Sequence, residues 1–300
     1  MMIPRSIILA CTLLAASAMS SFGAEALKFK PLGAAFLDNN NIPLRYPEGV
    51  ACSKNKLITA DTGNGRLVRF DIVNDGLQNG TEIKVEQLTQ PVRIKTTTKG
   101  DLLVLDGKSR KISKISSTGS FQGYLEPQKV QAPEEFVLRS MATDSKDWLY
   151  LVDILGERVL VLDAAGVSQR QIPFPKGFGY ISDVTVDEKG TVFIVDSIKS
   201  QVLKAAPSES AFTLITKDLD DYLYFAVNIE TDAQGRIYLL DQNDNGVVVL
   251  SRDGTFFGRY LNTGWKVGQL YYPGQACLSE NGIYAIADRN NNRIQLFKTQ

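Results

Sequence analysis

Six aspartates recur at near-constant spacing along this 300-residue sequence: Asp61, Asp106, Asp153, Asp196, Asp241 and Asp288, at intervals of 45, 47, 43, 45 and 47 residues. A carboxylate at such positions can ligate a cation, act as a general base, or brace a turn by accepting backbone N–H groups. Six copies at one place in a repeat suit a scaffold, not a single active site, so each is expected to brace its own hairpin turn. The other regularly placed polar groups lie thirteen residues ahead of the Asp: Arg93, Ser140, Asp183, Asn228 and Gln275, with Gly49 at that level in the first repeat. One strand step further, Lys95 and Glu230 carry opposite charges. Asymmetric polar groups at one level can hold a ligand; they can equally balance one another in a wet channel. Histidine is absent. That excludes Ser-His-Asp and Cys-His pairs and every His-bearing metal or haem site.

The elements that carry these residues follow from the repeat. Each Asp ends a β-rich run, such as Leu149-Tyr150-Leu151-Val152 or Ile237-Tyr238-Leu239-Leu240, and a second run follows a polar turn. Such pairs read as hairpins. A further strand begins fifteen residues ahead of the Asp, at Pro91, Leu138, Ile181, Ala226 and Pro273, and fourteen ahead at Pro47, where the turn Ser53-Lys54-Asn55 is one residue short. A fourth strand follows a Gly-bearing turn, as in Phe121 to Leu125, Phe212 to Thr216 and Phe256 to Leu261. The sixth repeat stops after its third strand, and Leu27 to Leu32 can supply the missing one. The expectation is an all-β, six-bladed β-propeller of four-stranded antiparallel blades. Its repeats span roughly 47–90, 91–137, 138–180, 181–225, 226–272 and 273–300, closed by a strand within 27–36 that joins the last blade.

Residues 1–26 read as a secretory signal: Arg5 precedes an apolar run from Ile7 to Ala18, and Ala24-Glu25-Ala26 offers a cleavage site. Most of the apolar run lies after Cys11, which argues against a lipoprotein anchor. The expectation is a periplasmic or secreted protein with no transmembrane anchor once the signal is removed. Lys+Arg and Asp+Glu number 33 each, so no excess of positive charge is present to hold nucleic acid. Cys52 and Cys277 fall on inner strands of the first and last repeats, at offsets of opposite parity that turn them toward each other across the closed ring. A disulfide and two buried free thiols both remain open.

The loops entering the inner strands share a face with the Asp turns. They are rich in aromatics: Tyr46, Phe178, Tyr180, Tyr222, Tyr224, Phe225, Trp265, Tyr271 and Tyr272, with Asp218, Asp220 and Asp221 beside them. At least half are expected to wedge between blades as core. Those left exposed suit burial of partner surface or stacking on sugars.

The stretch Asp288-Arg289-Asn290-Asn291-Asn292-Arg293-Ile294-Gln295-Leu296-Phe297, with Pro273-Gly274 ahead of it, closely resembles the NHL repeat. Asp61-Thr62-Gly63-Asn64-Gly65-Arg66-Leu67-Val68-Arg69-Phe70, with Pro47-Glu48-Gly49 ahead, is similar to it as well. The resemblance covers roughly Leu27 to Gln300, with the middle repeats more degraded, and implies a propeller fold with a habit of binding. Pro47-Glu48-Gly49 also resembles the opening of the gluconolactonase-like propellers, which implies a divalent metal, Ca²⁺ or Mg²⁺, held by Glu48, Asp183 and Asn228. Val50 stands where that family has Pro, Asn228 follows Asp183 instead of preceding it, and Glu48 lies one residue off the ring. The leading expectation is therefore a non-catalytic module of the cell envelope without a cofactor. It would bind a protein partner, or a small ligand, through the loop aromatics and through Arg93, Asp183, Asn228, Gln275, Lys95 and Glu230. A metal-dependent lactonase-like hydrolase and a carbohydrate or peptidoglycan binder are the alternatives.

Overall fold

The computed structural model describes residues 27–53, 55–132, 135–216 and 219–299. Residues 1–26, expected to form the signal, lie outside the described residues, as do Lys54 and Asp218. Among the described residues, 24 strands form six four-stranded antiparallel sheets. The innermost strands are Gly49–Cys52, Pro91–Thr96, Leu138–Thr143, Ile181–Val186, Ala226–Thr231 and Ala276–Leu278. Each contacts the inner strand of the blade on either side, and the first contacts the last, so the ring is closed. The protein is a six-bladed β-propeller.

The core is six layers, one in each gap between blades. Between blades three and four, Tyr150, Val152, Val159 and Val161 meet Val184, Val192, Ile194 and Leu203. Between blades five and six, the rings of Tyr238 and Tyr284 lie 5.5 Å apart. Strands buried on both faces must be apolar throughout, which is why the second strands read as unbroken runs instead of alternating. No helix among the described residues is long and apolar enough to cross a membrane.

The closing strand is Phe29–Ala35, paired antiparallel with Arg293–Thr299 from Phe29↔Thr299 to Ala35↔Ile294. Pro31 has no N–H to give, and a bulge between Pro31 and Gly33 absorbs the irregularity on this outer edge. Phe29 locks the strand in place, its ring 5.6 Å from Tyr284 and 5.1 Å from Tyr260. In blade one, Cys52 pairs with Leu57 across a turn one residue shorter than that between Thr96 and Leu102, as the spacing predicts.

Several strand bounds differ from expectation. The first inner strand begins at Gly49, not Pro47, the last at Ala276, not Pro273, and the closing strand spans Phe29–Ala35 instead of Leu27 to Leu32. The fourth strand of blade four is only Thr213–Leu214, because Phe212 turns into the layer between blades three and four.

Cys52 and Cys277 are joined, their Cα atoms 5.9 Å apart, and the bond ties blade one to blade six. Both sulfurs sit in the apolar layer between those blades. Cross-linking residues 225 apart removes much of the freedom of the unfolded chain. On the chain-entropy account this is worth about 5 kcal/mol. Denaturant unfolding with and without reductant should show a loss of that order, and the Cys52→Ser/Cys277→Ser variant should match the reduced protein. An unchanged midpoint would remove the disulfide from the closure.

Candidate functional site

The six repeat aspartates are buried, and their oxygens are filled by donors from two places. Asp106 accepts from the N–H groups of Lys108 and Ser109 in its own turn, at 3.0 and 2.8 Å. It also accepts from Thr89 and Gln90, at 2.8 and 2.6 Å, in the loop entering the inner strand of the same blade. Asp196 does the same with Ile198 and Lys199 and with Gly179 and Tyr180. Asp241 does so with Asn243 and Asp244 and with Tyr224 and Phe225. In blades one and six the turn's share comes from side chains, Asn64 to Asp61 and Asn291 to Asp288. The expected turn brace is thus half of the arrangement; the other half fastens the entry loop.

A second device, absent from the sequence expectations, accompanies the first. Arginines five residues after the Asp, Arg66, Arg158 and Arg293, are buried and donate Nε to Asp61, Asp153 and Asp288 at 2.7, 2.9 and 2.7 Å. Arg293 extends to the carbonyls of Trp265, Lys266 and Gln269 in the entry loop. The Asp-x4-Arg spacing is the sequence signal for it. Burial alone would raise both Asp106 and Asp288. Together the N–H groups of Ser109, Gln90 and Thr89 outweigh it and hold Asp106 below the usual carboxylate value, whereas burial wins at Asp288 and leaves it raised.

The level thirteen residues before the Asp forms one ring at the channel mouth. Its members bond mainly to neighbouring blades. Ser140 Oγ donates to Asp183 Oδ1. Asn228 Nδ2 and the Ile229 N–H donate to Asp183 Oδ2 at 2.7 and 2.8 Å. The Ala276 N–H donates to Asn228 Oδ1 at 3.0 Å. Gln275 Oε1 accepts from Val50 and Ile94 N–H, both at 3.3 Å. Arg93 crosses the mouth to the carbonyls of Gly274 and Val227, at 3.1 and 3.0 Å. Gly49 completes the ring because a Cβ there would stand 3.0 Å from that of Ala60 and 3.1 Å from the Val92 carbonyl. Ser140, Asp183, Asn228 and Gln275 are all buried, so the ring fastens blade to blade and presents only Arg93 at its surface.

Deeper in the channel, Lys95 Nζ meets Glu230 Oε1 at 2.6 Å, blade two against blade five. They line a cavity of about 160 Å³ at the far end with Thr96, Thr143, Thr185, Thr231 and the disulfide. Burial pushes the Glu230 carboxyl above its usual range; Lys95 opposes this, and the charge of Asp183 adds to it.

Asp183 and Asn228 come together, but Glu48 is held away by Arg289, whose Nε donates to Glu48 Oε1 at 3.0 Å. With both Asp183 oxygens and Asn228 Oδ1 already accepting, these three side chains do not fit a metal in this arrangement. Among the described residues no other cluster of three or more acidic or cysteine groups is placed to hold one.

The loop aromatics divide differently from expectation. Only Phe178, Tyr180 and Phe225 pack inward, Phe178 5.1 Å from Phe174 and Tyr180 5.6 Å from Phe225. Tyr46, Tyr222, Tyr224, Trp265, Tyr271 and Tyr272 are exposed, Trp265 by 80% and Tyr224 by 58%. Tyr222 turns outward to stack on Phe256 at 4.1 Å. Tyr46 and Tyr272 flank Arg289 at 5.5 and 5.7 Å. The inward places are already filled by aliphatic residues, such as Leu219 and Leu223 between blades four and five.

Two substitutions test this account. Asp106→Ala leaves four backbone N–H groups without their acceptor and should cost about 3 kcal/mol in denaturant unfolding; a cost under about 1 kcal/mol would refute the brace. Glu230 has a raised folded-state value, so its contribution is full below the ordinary glutamate range and is lost as pH rises through the folded value. The stability of the wild type relative to Glu230→Gln should therefore fall as pH rises above that range. A difference that is flat or rising would reverse the assignment.

No family model matches the sequence, and no curated protein does. Solved structures match over nearly the whole fold. A streptogramin B lyase is similar at TM-score 0.64 and 14% identity, over 91% of this chain and 97% of that one. A catalytically inactive histidine-to-alanine form of virginiamycin B lyase from Staphylococcus aureus, with quinupristin, gives 0.63 and 13% over 91% and 99%. A gluconolactonase from Xanthomonas campestris gives 0.66 and 12% over 90% and 89%. At these identities the likeness is one of fold, the six-bladed propeller.

Proposed function

We propose that this protein is a binding or assembly module of the cell envelope that docks a protein partner on the Asp-turn face. One observation carries the reading. Of the sixteen exposed large apolar side chains among the described residues, eleven sit in the loops of this face, leaving aside the outward-turned Tyr222. They concentrate on the loops entering blades five, six and one, where Tyr224, Trp265, Tyr271, Tyr272 and Tyr46 follow one another around the rim. Aromatics on a braced scaffold bury partner surface at low entropic cost, and contiguous exposure of this kind marks interaction sites. The hydrogen bonds from Asp241 and Asp288 to the loops carrying these side chains support a preformed surface.

The repeat is proposed to be of the NHL type on the residues Asp61–Phe70 and Asp288–Phe297. Residues 1–26 and the Cys52–Cys277 bond together support an exported protein, since such bonds persist in oxidising compartments. Channel-centred chemistry has less support. The channel oxygens are engaged with neighbouring blades, and no histidine is present to take the place of the one whose replacement leaves the virginiamycin B lyase inactive.

The test compares wild type with Trp265→Ala/Tyr224→Ala in affinity capture from native envelope extracts and in pelleting with purified peptidoglycan. Both substitutions are at exposed sites and should change folding stability by no more than about 0.5 kcal/mol each. The expected result is a specific protein recovered by wild type and at least tenfold depleted with the variant. Identical eluates would overturn the reading, and pelleting that depends on the two aromatics would replace it with glycan binding.

A further inference from the structure

Three arginines on blades two and three differ from the buried arginines that pair with the repeat aspartates. Arg66, Arg158 and Arg293 each face an aspartate. Arg93 and Arg139, on contacting inner strands, and Arg110, in the turn after Asp106 on the same face, have no ion pair among the described residues.

Their positions follow from the fold. Arg93 belongs to the mouth ring and leans across it to two backbone carbonyls. Arg110 ends the turn that follows Asp106, with φ of 59° and an exposed side chain. Arg139 is the extra residue of a bulge between Leu138 and Ser140, which takes it out of the sheet ladder. Its guanidinium carbon lies over the Tyr180 ring, 3.8 Å from the centre. The Nε atoms of Arg93 and Arg139 are both buried and without a hydrogen-bond partner. Burial first, then the charges of Arg110 and Arg93, push the Arg139 guanidinium below its ordinary value. Like charges gathered at one spot with orphaned donors are costly unless something fills the space between them.

We propose that the channel mouth over blades two and three is a binding site for an oxyanion, a carboxylate or phosphate group, gripped by Arg139 and Arg110 with Arg93 as its floor. A planar guanidinium held by an aromatic ring is pre-set for two parallel bonds to such a group. Tyr180 fixes Arg139 from one side, and Tyr180 rests on Phe225 in turn. Arg110, free on the surface, supplies the second charge. Arg93 contributes its charge and its unfilled Nε while its Nη atoms hold the mouth closed beneath. The site uses none of the exposed aromatics of blades five, six and one, so it goes beyond the docking reading and stands without it.

The experiment is calorimetric titration of the intact mature protein with inorganic phosphate and, separately, citrate, against sodium chloride at matched ionic strength. Saturable binding of at least one is expected, weakened tenfold or more by Arg139→Gln and severalfold by Arg110→Gln. Arg139→Lys, which cannot make two parallel bonds, should not restore it. The stronger of the two probes identifies a phosphate-bearing or a carboxylate-bearing ligand. Heat that chloride reproduces, no saturation with either probe, or unchanged binding by Arg110→Gln and Arg139→Gln would overturn the site. Arg110 is exposed, so its variant keeps the test valid if Arg139→Gln fails to fold. Anion titration and partner capture are separate readouts, and either can fail alone.

Discussion

The buried carboxylate at the end of each second strand is the interaction on which this molecule depends. It accepts from both the turn ahead and the loop behind, and so reinforces the single backbone hydrogen bond, such as Gly107 N–H to the Gln90 carbonyl, that links these two connections in each blade. A charged acceptor shared among several N–H groups is stronger than a neutral one, and its loss strands every donor at once. Repeated six times, the joint holds one face of the propeller still, while the opposite face relies on ordinary tight turns. The loops that vary between blades hang from the fixed face. That division places invariant chemistry underneath and variable chemistry on top.

The polar side chains of the channel hold the ring closed. Those at the mouth work as a belt of side chains bonded to the backbone of the next blade, with the Gln275 amide taking hydrogens from Val50 and Ile94 on two other blades. Together with the disulfide and the outer strand of blade six, this belt resists the opening that a ring without covalent closure would otherwise undergo. Lys95 and Glu230 brace the far end across the diameter. Such a buried pair gives little net stability, but either partner alone would be a liability.

The period of the aspartates, the one-residue deletion in blade one, the closing strand and the facing cysteines could all be read from the sequence, because each is a matter of counting along strands. What could not be read is where a polar side chain at a given level sends its hydrogen bonds. Asp183, Asn228 and Gln275 have the residue types of a ligand site, and only three-dimensional proximity reveals that Ser140, Ile229, Ala276, Val50 and Ile94 have already filled them. Arg139 sits at the bulge one residue before the ring level, so a fixed spacing from the Asp does not reach it. The aromatics were misjudged for a related reason: composition cannot tell that leucines such as Leu219 and Leu223 occupy the inward places, leaving Tyr224 outside.

The strand Phe29–Ala35 finds its partner, Arg293–Thr299, almost a full chain length later. Contacts of that separation form late, because the loop they close costs entropy before any bond rewards it. During synthesis the earliest described strand must therefore wait as a free edge until the rest of the ring has been made. A waiting edge invites mispairing with other chains. Lys28, Lys30 and Pro31 are the residue types that discourage such pairing, and the bulge that follows spoils a flat approach. The features that look like blemishes on a closing strand are thus its protection during the interval before closure.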